Sequence, residues 1–122
     1  MAKILLIDDS ETARVRVKID LNSAGHVVLE AENGIQGLEV LNTNKDIQLI
    51  ISDVNMPGMD GLTMCEKITT DNKYKKVPIV MLTTQCDEGM KIRGKKNGVV
   101  AWINKPHKTQ LLISGISQIL AR

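Results

Sequence analysis

The sequence contains no phenylalanine and only one tryptophan and one tyrosine among its 122 residues. The hydrophobic core must therefore be built from Leu, Ile, Val, Met and Ala. Only two cysteines occur, Cys65 and Cys86, and they provide neither a disulfide framework nor the ligand spacing of a zinc site. We expect both to be reduced thiols in a cytoplasmic protein.

Long apolar runs and a leader segment are also missing. No stretch approaches the roughly 20 apolar residues of a membrane span, and the N-terminus, MAKILLIDDSE, is too short and too acidic for a signal peptide. Lysines cluster in residues 73–76 and 91–96, but the net charge is only +2. Such short basic runs are typical of solvated helices and loops, so we predict no nucleic-acid partner and no membrane insertion.

What the chain does contain is a regular alternation of apolar runs and helix-like segments. The runs are KILLI (3–7), VVLEA (27–31), QLIIS (48–52), PIVML (78–82) and VAWIN (100–104). Several are apolar almost throughout, which is typical of strands covered on both faces. We predict an α/β fold of five βα units in one domain, residues 1–122, with a parallel sheet and helices on both faces.

The segment RVRVKIDL, residues 14–21, is ambiguous because it alternates like a strand. A helical face is also present, formed by Ala13, Val17, Leu21 and Ala24. Ser10 is a suitable N-cap for that helix, and Gly25 a suitable end. We predict a helix, because a strand here would break the alternation.

The remaining helices differ in the strength of their patterns. Residues 34–43 place Ile35, Leu38 and Leu41 at three-residue spacing, and similar stripes occur in 61–70 and 108–121. Residues 87–97 contain Gly89 and Gly94, each of which costs up to about 1 kcal/mol relative to Ala. We expect this helix to be short or mobile.

Polar residues follow four of the five predicted strands. They are Asp8 and Asp9 after the first, Asp53 after the third, Thr83 and Thr84 after the fourth, and Asn104 and Lys105 at the end of the fifth. Ligands of open parallel sheets bind beyond the carboxyl ends of the strands. We therefore expect these side chains to share one crevice.

Three carboxylates in one crevice repel each other, by roughly 3 kcal/mol for a pair about 5 Å apart at an effective dielectric of 20. Either a pKa rises or a cation is recruited, and carboxylates without His or Cys favour Mg²⁺. Lys105 adds an ammonium group and Thr83 a hydroxyl, a set that suits a phosphoryl group. A carboxylate can itself be the nucleophile that forms an aspartyl phosphate.

Four motifs then resemble a known family over the whole chain. They are LLIDDSE (5–11), LIISDVNMPGMDG (49–61), VMLTT (80–84) and GVVAWINKP (98–106). Together, in this order, they resemble the receiver domain of two-component response regulators, most closely the stand-alone chemotaxis type. The resemblance implies a doubly wound, flavodoxin-like (βα)5 fold with strand order 2-1-3-4-5. Because the chain ends with its fifth helix, we expect no effector domain.

The resemblance also implies roles for individual residues. Asp53 would accept the phosphoryl group, and Lys105 would pair with Asp53 and then with the phosphoryl oxygens. Thr83 would turn its hydroxyl onto the phosphoryl group, and Trp102 would be the switching aromatic. The peptide bond Lys105–Pro106 would be cis.

The implied cofactor is Mg²⁺ or Mn²⁺. Its ligands would be the carboxylates of Asp8, Asp9 and Asp53 and the backbone carbonyl of Asn55. The side chains of Asn55 and Gln85 would tune dephosphorylation, with a phosphoryl lifetime nearer minutes than days. Such a protein transfers a phosphoryl group to itself and hydrolyses it, and is not an enzyme of ordinary turnover.

The implied partners are a sensor histidine kinase or phosphotransfer protein and a downstream target such as a motility component. The target would respond to a change in the face made by helix 4, strand 5 and helix 5. Several residues depart from the family pattern: Thr84 replaces a small residue, His107 a common Phe, Trp102 a Tyr or Phe, and Val99 and Val100 smaller residues. Asp60, in contrast, is expected only to cap or brace the next helix.

Three other classes of protein compete with this interpretation. A haloacid-dehalogenase-type phosphatase needs Asp-x-Asp, but Ser10 stands at the second position after Asp8. A flavodoxin-type flavin binder needs a hydroxyl-rich phosphate loop, and DDSE would repel the flavin phosphate. A pseudo-receiver that binds partners without phosphorylation usually lacks an acid or the lysine; none is lost here, but this alternative stays open.

Overall fold

A computed structural model describes residues 1–122 and contains a single sheet of five parallel strands. The strands are β1 (Lys3–Ile7), β2 (Val27–Ala31), β3 (Leu49–Asp53), β4 (Ile79–Thr83) and β5 (Val99–Asn104). Their order is β2-β1-β3-β4-β5, and each neighbouring pair is parallel. The predicted fold class and strand order are confirmed.

Five helices connect or follow the strands. They are α1 (Glu11–Ser23), α2 (Gly34–Thr43), α3 (Gly61–Thr70), α4 (Glu88–Lys96) and α5 (Thr109–Leu120). The ambiguous segment 14–21 is helical, as predicted, and α4 is the shortest helix with 9 residues. None of the five has the length and apolar character that a membrane span requires.

The starts of four helices are fixed by side-chain caps. Ser10, Asn33, Asp60 and Asp87 each accept a hydrogen bond from the backbone N–H three residues further on. The capping roles predicted for Ser10 and Asp60 are therefore confirmed. Gly25, which has a φ of 91°, follows the end of α1 and turns the chain toward β2, a conformation that glycine adopts without strain.

Two apolar layers cover the sheet, as expected for strands that are apolar throughout. One cluster of 16 buried residues packs beneath α2, α3 and α4, and another of 12 packs beneath α1 and α5. β3 and β4 are buried along their whole length. The first layer combines aliphatic residues with methionine and cysteine, and the single tryptophan lies at its margin, whereas the second layer is purely aliphatic.

Two details of the helix patterns were wrong. Ile35 is 56% exposed, because it lies in the first turn of α2 and lines a groove between α2 and α3 instead of lying over the sheet. In α1 the buried stripe is Arg14, Val17 and Leu21, whereas Ala24 is exposed beyond the helix end. Arg14, Val17 and Leu21 are spaced by three and four residues, and this helical spacing places position 14 on the buried stripe whether its residue is charged or apolar.

Some strand limits also differ from the prediction by one residue. β3 includes Asp53 and excludes Gln48, and β4 includes Thr83 and excludes Pro78, which has no N–H to donate to the ladder. Polar residues thus complete the carboxyl ends of two central strands. This shift brings the acid and the hydroxyl within the regular part of the sheet.

Candidate functional site

Three carboxylates converge at the carboxyl end of the sheet. Asp8 and Asp9 follow β1, and Asp53 ends the neighbouring strand β3, where Ile7 pairs with Ser52. One oxygen of each carboxylate lies within 4.8 Å of the others. Asp8 and Asp53 are buried and Asp9 is exposed, so the cluster is open to solvent on one side.

Lys105 supplies the positive charge of the site from the loop after β5. Its Nζ lies 2.7 Å from an oxygen of Asp8 and 3.2 Å from an oxygen of Asp53. The backbone N–H of Lys105 donates to the carbonyl of Thr83, which ties this loop to the end of β4. The sequence predicted the contact with Asp53 but not the shorter one with Asp8. The cis peptide bond Lys105–Pro106 is confirmed.

Burial is the largest single influence on the pKa of both Asp53 and Lys105. It raises the pKa of Asp53 above the usual 3.8; the charge of Lys105 opposes the rise and that of Asp8 adds to it. Burial alone would lower the pKa of Lys105, but its hydrogen bond to Asp8 and the charge of Asp53 outweigh burial and leave that pKa raised. Both groups therefore resist losing a proton.

The donor set fits a hard divalent cation. Three carboxylates and one ammonium leave a formal charge of −2, and neither histidine nor cysteine belongs to the cluster. Carboxylate oxygens are the ligands that Mg²⁺ prefers, with Mn²⁺ as the common substitute. Asn55, whose carbonyl is the further predicted ligand, is exposed in the loop that follows β3.

In this structure the hydroxyl of Thr83 forms its hydrogen bonds with the loop that follows β4. Thr83 is buried at the end of β4, next to the end of β3, but its Oγ1 donates to the carbonyl of Gln85 at 2.8 Å. The same oxygen accepts the N–H of Gln85 at 3.2 Å. Thr84 and the side chain of Gln85 are exposed beside it.

Trp102 lies on β5 in register with Met81 and is half-buried against the first core cluster. Thr83 comes two residues after Met81, so Thr83 and Trp102 share one face of the sheet. Gly94 of α4 lies directly against the indole. A Cβ at Gly94 would meet Trp102 Cζ2 at 2.8 Å, so the missing side chain makes room for the tryptophan.

His107, one of the departures from the family pattern, is held in place by α1. Its Nε2 lies 2.6 Å from an oxygen of Asp20, and the hydroxyl of Thr109 donates to the same oxygen at 3.0 Å. The hydrogen bond from His107 lowers the pKa of Asp20. This contact ties the loop that carries Lys105 to α1.

Sequence reasoning missed two residues of the site. Arg14 donates from Nη1 to the backbone carbonyl of Asp8, and Gly61 lies so close to Asp53 that a Cβ would stand 2.2 Å from its carbonyl oxygen. Arg14 could have been found as the one charged residue on the buried stripe of α1. The close approach of Gly61 has no comparable signature in the sequence.

Comparison with known proteins gives one consistent answer. Residues 4–117 match the family described as "Response regulator receiver domain". The chemotaxis protein CheY1 of Helicobacter pylori is 40% identical over 119 residues, covering 97% of this chain and 96% of that protein. The sensor histidine kinase CheAY of the same species is 34% identical, but the match covers only 14% of its length.

A solved structure supports the same assignment. The chemotaxis protein CheY4 of Vibrio cholerae superposes with a TM-score of 0.90 and 35% identity, covering 98% of both chains. The acidic cluster, the lysine and the strand order thus occur in a chain that matches this family over nearly its full length. The chain belongs to the response regulator receiver domain family of two-component signalling proteins.

Proposed function

We propose that residues 1–122 act as a single receiver domain that is switched by phosphorylation of Asp53. The observation that carries this proposal is the meeting of three carboxylates within 4.8 Å of one another and one ammonium within 3.2 Å of two of them. A structural role alone does not account for so much opposed charge at one edge of the sheet. A reaction that adds a phosphoryl group accounts for it, because the charge of the phosphoryl group must be offset by cations on several sides.

In the proposed reaction a carboxylate oxygen of Asp53 attacks the phosphorus of a phosphohistidine on a partner kinase or phosphotransfer protein. The P–N bond breaks, its electron pair stays on the imidazole, and an acyl phosphate forms on Asp53. The Nζ of Lys105, already between Asp8 and Asp53, is placed to bond a phosphoryl oxygen. Water later attacks the same phosphorus, the P–O bond to Asp53 breaks with its electron pair on the carboxylate, and inorganic phosphate is released.

Asp8, Asp9, Asp53 and the carbonyl of Asn55 would hold Mg²⁺. When bound, the ion supplies positive charge that offsets the charge developing on the transferred phosphoryl group. Asp8 is already fixed for this purpose, because its Oδ1 accepts the N–H of Ser10 at 2.9 Å and its Oδ2 contacts Lys105. Asn55 and Gln85, both exposed and two residues beyond Asp53 and Thr83, would orient the hydrolytic water.

The proposed switch starts at Thr83. Its hydroxyl would exchange the carbonyl of Gln85 for a phosphoryl oxygen, a stronger acceptor because it is charged. Trp102, on the same face of the sheet, would then turn toward the space that Thr83 leaves. Since Trp102 contacts α4 at Gly94, its rotation would change the face formed by α4, β5 and α5.

The charge of that face indicates the chemistry of the target. Residues 89–122 contain no Asp or Glu, so all acids of the chain precede them. Five cations of this region form no ion pair: Lys91, Lys95, Lys96, Lys108 and Arg122. A groove lined by Lys91, Lys95, Val100, Trp102 and Arg122 joins this charge to apolar surface. A downstream protein would present an acidic segment with apolar side chains.

The proposal is tested with Mg²⁺ and a small phosphodonor, acetyl phosphate, by intact mass spectrometry. We expect the mass of one phosphoryl group to be added, to be removed by hydroxylamine and to be absent in Asp53→Asn. Glu32→Gln, an exposed change of the same kind outside the cluster, is the matched control and is expected to accept the group normally. Failure of acetyl phosphate to modify the wild type would favour the phosphorylation-independent binding module.

A further inference from the structure

Arg14 is a charged residue buried in the interface between α1 and the sheet. Only 9% of its surface is exposed, and it shares the buried stripe of α1 with Val17 and Leu21. A buried guanidinium is costly unless its donors are bonded. Two of them are: Nη1 donates to the carbonyl of Asp8 at 2.7 Å, and Nε donates to Glu30 at 3.3 Å.

Glu30, on β2, anchors this arginine from the other side. Its second carboxylate oxygen accepts from Lys18 at 3.0 Å, and the two contacts with Lys18 and Arg14 lower its pKa. The carboxylate therefore stays charged and bonded even if one cation is removed. Arg14 thus forms a bridge from the edge strand to the loop that carries two of the three clustered acids.

The hydrogen bond from Arg14 to the Asp8 carbonyl restrains the orientation of the next residue, Asp9. The peptide unit between them is planar, so fixing the carbonyl oxygen of Asp8 also fixes the N–H and the Cα position of Asp9. The remaining restraints on this loop act on Asp8 and Ser10: Asp8 N–H donates to Ala31, and Asp8 Oδ1 accepts from Ser10. Asp9 itself is exposed and has no side-chain hydrogen bond.

We propose that Arg14 is a positioning residue for the cation site: by holding the Asp8–Asp9 peptide, it keeps the Asp9 carboxylate aimed at the ion. This inference rests on the proposed function, because it takes the acidic cluster to be a Mg²⁺ site. Groups that orient metal ligands without touching the metal typically change its affinity by about 10–100-fold. Arg14 acts through a ligand's backbone, so we expect the lower end of that range.

The sign of the effect separates positioning from simple electrostatics. Arg14 is a positive charge close to a cation site, so its field alone weakens Mg²⁺ binding, and its removal would strengthen binding. Loss of positioning has the opposite effect. Arg16 lies on the exposed side of the same helix and forms no ion pair, but it lines a cleft together with Asp8 and Lys105. Its removal takes away the same positive charge near the site without removing a hydrogen bond to Asp8.

The test is calorimetric titration of the full chain with Mg²⁺, using wild type, Arg14→Met, Arg14→Lys and the control Arg16→Met. Arg14→Met fills the same space without donors and leaves Glu30 paired with Lys18. We expect its Kd for Mg²⁺ to rise about tenfold, that of Arg14→Lys to rise less, and that of Arg16→Met to stay equal or fall. Urea unfolding without Mg²⁺ and amide hydrogen exchange at residues 8–10 are measured alongside.

An affinity equal to or tighter than that of wild type in folded Arg14→Met would overturn the inference, and so would an equal loss in Arg16→Met. Reduced unfolding stability with unchanged Kd would show that Arg14 is only structural. If Arg14→Met does not fold, Arg14→Lys decides, since its single ammonium cannot serve Asp8 and Glu30 with the same geometry and its Kd must rise. A wild type that binds no Mg²⁺ would instead refute the proposed metal site itself.

Discussion

Replacement of Gly61 by alanine tests how tightly α3 is packed against the acceptor strand. Gly61 begins α3, and its N–H donates to the carbonyl of Val54 at 2.8 Å. A Cβ at this position would lie 2.2 Å from the carbonyl oxygen of Asp53 and 2.7 Å from Cε of Met81. The methionine tip can move, but the carbonyl belongs to the backbone of β3.

Relief of that contact requires a shift of about 1 Å in α3 or β3, because the optimal van der Waals separation of non-bonded heavy atoms begins near 3.5 Å. Overpacking of this kind costs about 1–3 kcal/mol, and a backbone neighbour places it at the upper end. Alanine regains up to about 1 kcal/mol through its higher helix propensity. The net expectation for Gly61→Ala is a free energy of unfolding lower by about 2 kcal/mol.

The matched control is Gly115→Ala, inside α5. Nothing lies within 4 Å of a Cβ at this position, so alanine is expected to raise the free energy of unfolding by up to about 1 kcal/mol. Both variants are compared with wild type by equilibrium urea unfolding without Mg²⁺. If Gly61→Ala were as stable as Gly115→Ala, the close approach of α3 to Asp53 would be refuted.

Three further outcomes are expected. Because burial raises the pKa of Asp53 above 3.8, its protonated form is favoured in the fold, so wild-type stability falls as pH rises through the interval between the unfolded and folded pKa values. Asp53→Asn should therefore be more stable than wild type by about 1 kcal/mol in urea at pH 7 without Mg²⁺, with the gap closing below about pH 4; a lower stability at pH 7 would contradict this. Gly94→Ala should displace the indole of Trp102, 2.8 Å from the added Cβ, and shift tryptophan emission to longer wavelength, whereas an unchanged spectrum would mean that the contact is slack. Burial raises the pKa of Cys65 to about 12, so a thiol reagent at pH 8 should modify Cys86 alone in the native protein and both cysteines in denaturant; rapid modification of native Cys65 would contradict its burial.

The layout of the fold could be predicted because buried parallel strands are nearly continuous apolar runs. That pattern predicted the ends of every strand to within one residue. The polar residues just beyond the strands then predicted that Asp8, Asp9 and Asp53 lie together, as they do. The local pattern of the 14–21 segment is ambiguous, because it alternates like a strand and also has a helical face. Alternation along the whole chain decided for a helix, and the structure has one.

The rest depended on long-range contacts that leave little trace in the sequence. Arg14 resembles any charged helix residue until the fold places the Asp8 carbonyl and Glu30 around it. Likewise, the contact of Lys105 with Asp8 joins residues 97 positions apart. The geometry of the loop after β5 decides that the Nζ of Lys105 lies closer to Asp8 than to Asp53. Propensity and periodicity describe an element's own surface, whereas these contacts depend on what the neighbouring element presents.

The identity of the residue that carries the phosphoryl group is the central claim, and borohydride reduction measures it directly. The protein is treated with acetyl phosphate and Mg²⁺, reduced, digested and sequenced by mass spectrometry, since borohydride converts an aspartyl phosphate to homoserine. The account predicts homoserine at position 53 in wild type and none anywhere in Asp53→Asn. Homoserine at Asp8, Asp9 or Asp60, or a phosphoryl adduct that persists in Asp53→Asn, would contradict it.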